Sequence, residues 1–136
     1  MIRRSVTIAL PIEDRKRSYD FYQVTLGLKP LGEPAADGVP EPLQFSLDER
    51  TSLMLIPAGG FSWVLGKGDV APAGLSEVLL SLQVTSAEEV SGTLERMRAN
   101  GGKILAETEQ QEWGFTGVAT DPDGHAWQII ADPLDA

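Results

Sequence analysis

The residues that could carry chemistry are few, and most of them fall in one stretch. Residues 113–130, W-G-F-T-G-V-A-T-D-P-D-G-H-A-W-Q-I-I, hold the only histidine, His125, together with Asp121, Asp123 and the amide Gln128. An imidazole near neutral pH could serve as a general base or as a metal ligand. A single one, with no neighbouring nucleophile, makes no catalytic triad. The plainer reading of His125 is a residue that starts a strand directly after a turn. The chain has no cysteine, which excludes thiolate nucleophiles, disulfides and Cys-based zinc sites. The run G-G-F-S-W-V-L-G-K-G (59–68) lacks the spacing and the following helix start of a phosphate loop. Glu107, Glu109 and Glu112 share one predicted strand, either as part of a site or as its wet edge.

The elements that must position these residues can be read from pattern and punctuation. Asp121-Pro122-Asp123-Gly124 is a turn: Pro presets φ, Asp can cap, and Gly tolerates a left-handed backbone. Strands flank it, which makes a hairpin with Gln128 between bulky apolar neighbours. Upstream, Ser5–Leu10 reads as a strand stopped by Pro11. A helix capped by Glu13 or Asp14 follows to about Leu26, with Tyr19, Tyr22 and Leu26 roughly on one face and Phe21 beside it, and Gly27 ends it. A second strand is predicted within Leu28–Glu33. Pro34–Pro42 is a proline-ordered loop. Strands at Leu43–Leu47 and Ser52–Ile56 are joined by Asp48-Glu49-Arg50. After a Gly-rich connection come a strand at Glu77–Val84 and a helix to about Asn100. That helix is opened by the capping box Ser86/Glu89 and buries Val90, Leu94 and Met97. Lys103–Glu112 is the next strand, and the tail Ala131–Ala136 is expected to be loose.

The two halves share this plan. Leu10 to Gly27 and Val84 to Gly101 both span 17 positions, and the pairs differ by 74 in number. The same offset carries Leu53-Met54-Leu55 onto Trp127-Gln128-Ile129. The chain is a tandem βαβββ duplication, with modules at about 5–60 and 76–131 and a connection at about 61–75.

Composition bounds the function. Lys and Arg number 11 against 20 Asp and Glu, for a net charge of −9. Residues 1–34 carry six of the basic and four of the acidic residues, so everything after them is strongly acidic. No basic face for nucleic acid exists there. Arg15-Lys16-Arg17 reads as the solvated first turn of a helix. The apolar run at the N-terminus is too short for a signal sequence or a membrane span, so the cytoplasm is the expected location.

Phe21-Tyr22 near a helix end, Leu26-Gly27 after it, the closing D-P-D-G-H-x-W and the doubled module together resemble the vicinal oxygen chelate superfamily. That superfamily includes glyoxalase I, extradiol dioxygenases and bleomycin-resistance proteins. The resemblance covers about residues 5–131 and implies an α+β fold in which tandem βαβββ modules form an eight-stranded cup-shaped sheet. In metal-dependent members a divalent ion is held from the first and last strand of each module. Carried over, those positions are Ser5, Met54, Leu79 and Gln128, with the offset of 74 relating the pairs. Ser is a weak donor, a Met thioether suits soft metals, Leu donates nothing, and only Gln128 is a plausible ligand. The expectation is a degenerate site with no metal, no cofactor and no catalytic residue.

What remains is an apolar cup for a small organic molecule. Its candidate lining is Met54, Phe61, Trp63, Leu79, Trp113, Phe115 and Gln128, with Gln44 and Gln83 as hydrogen-bonding groups. Excess acid favours neutral or cationic ligands. The resemblance also implies a homodimer. The alternative is a glyoxalase-like lyase, isomerase or dioxygenase whose metal site is displaced, for example onto Gln128 with His125 or a nearby Glu. A third reading is an interaction module whose cup is filled by side chains.

Overall fold

The computed structural model describes residues 4–132. Among them are eight strands and three helices, in two compact units, Met1–Ala71 and Pro72–Ala136, whose boundary lies inside the expected connection. Each unit carries a four-stranded mixed sheet. The order is β1-β4-β3-β2 in the first and β5-β8-β7-β6 in the second.

In the first unit β1 (Val6–Ile12) runs parallel to β4 (Thr51–Pro57), and β3 (Leu43–Asp48) runs antiparallel between β4 and the two-residue β2 (Lys29–Pro30). The helix α1 (Arg15–Leu26) is capped by Asp14, whose side chain accepts from the Arg17 amide, and ends at Gly27 in the left-handed conformation. Its buried stripe is Ser18, Phe21, Tyr22 and Thr25. The expected stripe of Tyr19, Tyr22 and Leu26 is rotated from this, because Thr25 turns inward and satisfies its hydroxyl on the Phe21 carbonyl at 2.7 Å. Tyr22 meets Phe45 at 5.7 Å between ring centroids, over Leu43, Leu53 and Leu55, all fully buried.

Pro11 does not stop β1. It lies in an edge strand, where a missing amide costs no ladder bond on the open side, and the strand continues to Ile12. Arg15 is also more than a solvated cation. Its guanidinium is bonded to Asp37 and to the carbonyls of Val39 and Pro40, and Glu41 lies 3.4 Å from it. It thereby pins the proline-rich loop over the core, where Val39 is fully buried.

The Gly-rich connection holds an unforeseen short helix, α2 (Ala58–Val64), which has no side-chain cap and no buried residue. In the second unit β5 (Leu79–Val84) begins two residues later than expected. The helix α3 (Ala87–Ala99) carries the capping box, with the Glu89 amide 3.2 Å from Ser86 and the Thr85 amide 3.3 Å from the Glu89 carboxylate. Val90, Leu94 and Met97 are buried, as are Ala119, Trp127 and Ile129 on the two strands against which the helix packs. The strands β6 (Ile104–Gln111), β7 (Gly114–Thr120) and β8 (Ala126–Ala131) complete the sheet. Ala131 therefore belongs to β8, and the tail from 133 lies outside the described residues. No helix among the described residues is long and apolar enough to cross a membrane.

Candidate functional site

Strand alternation sorts each sheet into a face under the helix and an open face. In the first unit Leu53 and Leu55 point under α1, so Ser52, Met54 and Ile56 take the open face. Pairing brings Thr7 to Ser52, Ala9 to Met54, and Gln44 to Met54. In the second unit Trp127 and Ile129 are buried under α3, leaving Ala126, Gln128 and Ile130 on the open face. Ser81 pairs with Gln128, with Leu79 and Gln83 on either side of it along β5. Met54 and Gln44 thus share one open face, and Leu79, Gln83 and Gln128 share the other.

The aromatic candidates are placed differently. Phe115 pairs with Ala131, in the strand set opposite to Gln128 and Val118, so it lies on the helix side of β7. Trp113 sits in the turn between β6 and β7 and Trp63 on α2, both largely exposed, and Phe61 is half-buried on α2. Glu112 belongs to that same turn. Glu109 pairs with Thr116.

The first and last strands are registered differently in the two units. Thr7 faces Ser52, 45 positions on, whereas Leu79 faces Ala126, 47 positions on. The offset of 74 relates β4 to β8, but β1 and β5 differ by 72. The structural counterpart of Leu79 is therefore Thr7. Ser5 precedes β1 and is exposed, and its counterpart is Glu77, ahead of β5. Ending the first strand at Pro11 made Leu10 the partner of Val84, when the matching residue is Ile12. The two extra positions in the second unit lie at its helix end, where Asn100 intervenes before Gly101.

With that correction the mapped side chains are a hydroxyl, a thioether, a hydrocarbon and an amide. Thr7 and Ser52 hydrogen-bond to each other at 3.1 Å, and Ser81 donates to the Gln128 carbonyl oxygen at 3.1 Å. This donor set does not fit a divalent metal, which requires imidazole or carboxylate ligands. Among the described residues no group of three or more His, Asp or Glu side chains is placed to hold a metal ion.

His125 is tied into its turn. Its Nδ1 lies 2.7 Å from Asp121, whose side chain is fully buried. The other Asp121 oxygen accepts from the amides of Asp123 and His125, each at 2.9 Å. Asp121 is thus the hub of the turn, and His125 is one of its spokes.

The polar residues that sequence reasoning passed over are Thr7, Ser46, Ser52 and Ser81. Each occupies an alternate position on its strand with Ala9, Gln44, Met54 or Gln83, and that two-residue period was the available signal.

Comparisons with known proteins agree with this architecture. YetH of Bacillus subtilis (strain 168), described as an uncharacterized protein, is 28% identical over 129 residues, covering 95% of this chain and 98% of its own. A glyoxalase-related enzyme from Fulvimarina pelagi superposes with a TM-score of 0.79 at 26% identity, over 98% of this chain and 91% of that one. TnmS3, an antibiotic binding protein from Streptomyces sp. CB03234, superposes with a TM-score of 0.63 at 22% identity, over 96% and 97%. The family model for these folds matches residues 4–129, and the chain belongs to the Glyoxalase/Bleomycin resistance protein/Dioxygenase superfamily.

Proposed function

We propose that this protein holds a small organic molecule on the open faces of its sheets, without a metal and without transforming it, as bleomycin-resistance proteins do. The observation that carries the reading is the donor chemistry at the mapped positions. Thr7, Met54, Leu79 and Gln128 offer no imidazole and no carboxylate, so the Lewis-acid step on which the superfamily's metal enzymes depend has no support there. What these faces do offer is apolar surface with a few fixed hydrogen-bonding groups, the usual make-up of a small-molecule site. Gln128 is held at its carbonyl oxygen by Ser81 and has amide N–H groups with which to donate to a ligand. The antibiotic-binding TnmS3 supports the reading at the level of the fold. Such a protein would work in the cytoplasm as a homodimer.

The glyoxalase-related neighbour from Fulvimarina pelagi favours a second reading, a metal-dependent lyase or isomerase with displaced ligands. One experiment separates the two. The purified protein is incubated with Mn(II), Fe(II), Ni(II) and Zn(II), desalted, and assayed for metal by plasma mass spectrometry with thermal denaturation alongside. The metal-free reading expects no stoichiometric metal and no change in melting temperature. One equivalent of one metal with clear stabilisation would replace it with the enzyme. A library of small organic molecules, screened by thermal shift, then supplies the ligand.

A further inference from the structure

The open face of the first sheet carries a polar row that the second sheet lacks. At one level across all four strands, Thr7 of β1 pairs with Ser52 of β4, Ser52 with Ser46 of β3, and Ser46 with Lys29 of β2. The three hydroxyls line a hollow of about 280 Å³, room for one sugar-sized ring. At the same level in the second unit stand Leu79, Ala126 and Thr120, and the Thr120 hydroxyl is occupied by the Lys103 amide at 3.0 Å. The row therefore belongs to this chain's first module and does not follow from the fold.

We propose that this row recognises a polyhydroxylated group, a single sugar ring or a comparable polyol, on the open face of the first sheet. The proposal rests on the reading above that the open faces bind organic ligands, and it names the chemistry one of them selects.

The hydrogen-bond inventory chooses between a polyol and an oxyanion. Thr7 and Ser52 spend one proton between them and keep the other for a ligand. Ser46 donates its proton to the Asp48 carbonyl at 3.2 Å, so it presents lone pairs only. The Asp48 carboxylate at the rim is held charged by the Arg50 amide and the Thr51 hydroxyl, and it too can only accept. The row thus mixes donors with acceptors. Sugar hydroxyls match such a mixture because each both donates and accepts, whereas phosphate or carboxylate would leave the Ser46 and Asp48 oxygens facing its own. Charge agrees. Of the charged residues that line the hollow, Asp48 and Glu49 outnumber Arg50, so it presents no net positive field to an anion. Leu31, exposed and two residues on from Lys29, borders it with the apolar surface that the C–H face of a sugar ring needs.

The test is a backbone-amide NMR titration of the full chain with methyl α-glucoside, methyl α-galactoside and methyl α-mannoside, and with sodium phosphate as the comparison. At least one glycoside is expected to shift the amides of Thr7, Ser46 and Ser52 saturably, with a Kd in the millimolar range suited to a shallow site. Thr7→Val and Ser52→Ala should each weaken it about tenfold or more. Ser52→Ala is the milder change and carries the test if Thr7→Val does not fold. The proposal is overturned if none of the three glycosides moves these amides saturably, if phosphate moves them as well as the glycosides do, or if Ser52→Ala binds like the parent. None of these outcomes touches metal content, so a failure here leaves the metal-free reading standing. A stoichiometric metal, read by mass spectrometry on protein that has seen no glycoside, would sink that reading instead.

Discussion

Ser81 donates its hydroxyl proton to the Gln128 side chain at 3.1 Å, across the parallel pair β5–β8. The equivalent pair in the first unit is Ala9 and Met54, which cannot bond, and the polar pair there, Thr7 with Ser52, sits two residues nearer the strand start. A doubled backbone thus carries two open faces of different chemistry, each with one fixed polar pair.

The Gln128 pair is an exposed one, so its loss costs little fold stability. Gln128→Ala is expected to change unfolding free energy by less than about 1 kcal/mol, since a net hydrogen bond at the surface is worth no more. The same variant should weaken any ligand found by screening on this face about tenfold, the loss of one well-placed amide. Gln128→Glu should not introduce stoichiometric zinc, because a lone carboxylate supplies one ligand where a site needs three. Urea unfolding, ligand titration and metal analysis check the three statements.

Asp121 carries the opposite expectation. Its buried carboxylate accepts from the Asp123 amide, the His125 amide and the His125 ring. Asp121→Ala takes the acceptor from all three of these groups inside the fold and should destabilise the protein by about 3 kcal/mol, read as a lowered urea midpoint. His125→Ala, which removes one partner from a carboxylate that keeps its two amides, should cost about 1 kcal/mol. If His125 were the general base of a reaction its replacement would abolish turnover of the substrate. As a spoke of the turn it leaves binding of small ligands unchanged.

Much of the fold was legible because its signals are local. Asp14, Gly27, Ser86 with Glu89, and D-P-D-G each act through backbone bonds a few residues away, and each does in the structure what its chemistry predicts. What stayed hidden depends on distant partners. The two-residue difference between the units is visible only in strand pairing, because Pro11 imitates a strand end on an edge where it costs nothing. The helix α2 was hidden by Gly59 and Gly60, which disfavour helix. A Cβ on Gly60 would come within 3.2 Å of the Ile56 side chain, so the second glycine answers to packing. The open-face placement of Met54, Leu79 and Gln128 was legible, because each sits on a strand with clear alternation. Placement was not legible at Phe115, whose face is set by pairing with Ala131.

Two glycines separate backbone from side-chain crowding. A Cβ on Gly102 would lie 2.0 Å from the Thr120 carbonyl oxygen, an atom fixed in the β7 ladder. A Cβ on Gly117 would lie 2.4 Å from a terminal methyl of Leu94, which can change rotamer. Gly102→Ala is therefore expected to cost about 3 kcal/mol or to prevent folding, and Gly117→Ala about 1–2 kcal/mol through overpacking under α3. Thermal denaturation of the two variants side by side gives the order. An equal loss would mean that β7 moves as readily as a side chain does.

The acid sensitivity of the first unit should depend in part on Asp48. The Arg50 amide and the Thr51 hydroxyl hold its carboxyl below the usual aspartate range. A carboxyl that binds its proton less readily when folded contributes stability above its unfolded value, and that contribution disappears as pH falls through the folded value. Asp48→Asn should therefore be less stable than the parent at neutral pH, with the two curves converging in acid, below the ordinary carboxylate range. Because Asp48 is at the surface, the difference should be small and should shrink with added salt. Urea unfolding of both proteins from neutral to acid pH, at low and high salt, measures it. A difference that persists unchanged into acid would assign the Asp48 contribution to turn geometry instead of charge.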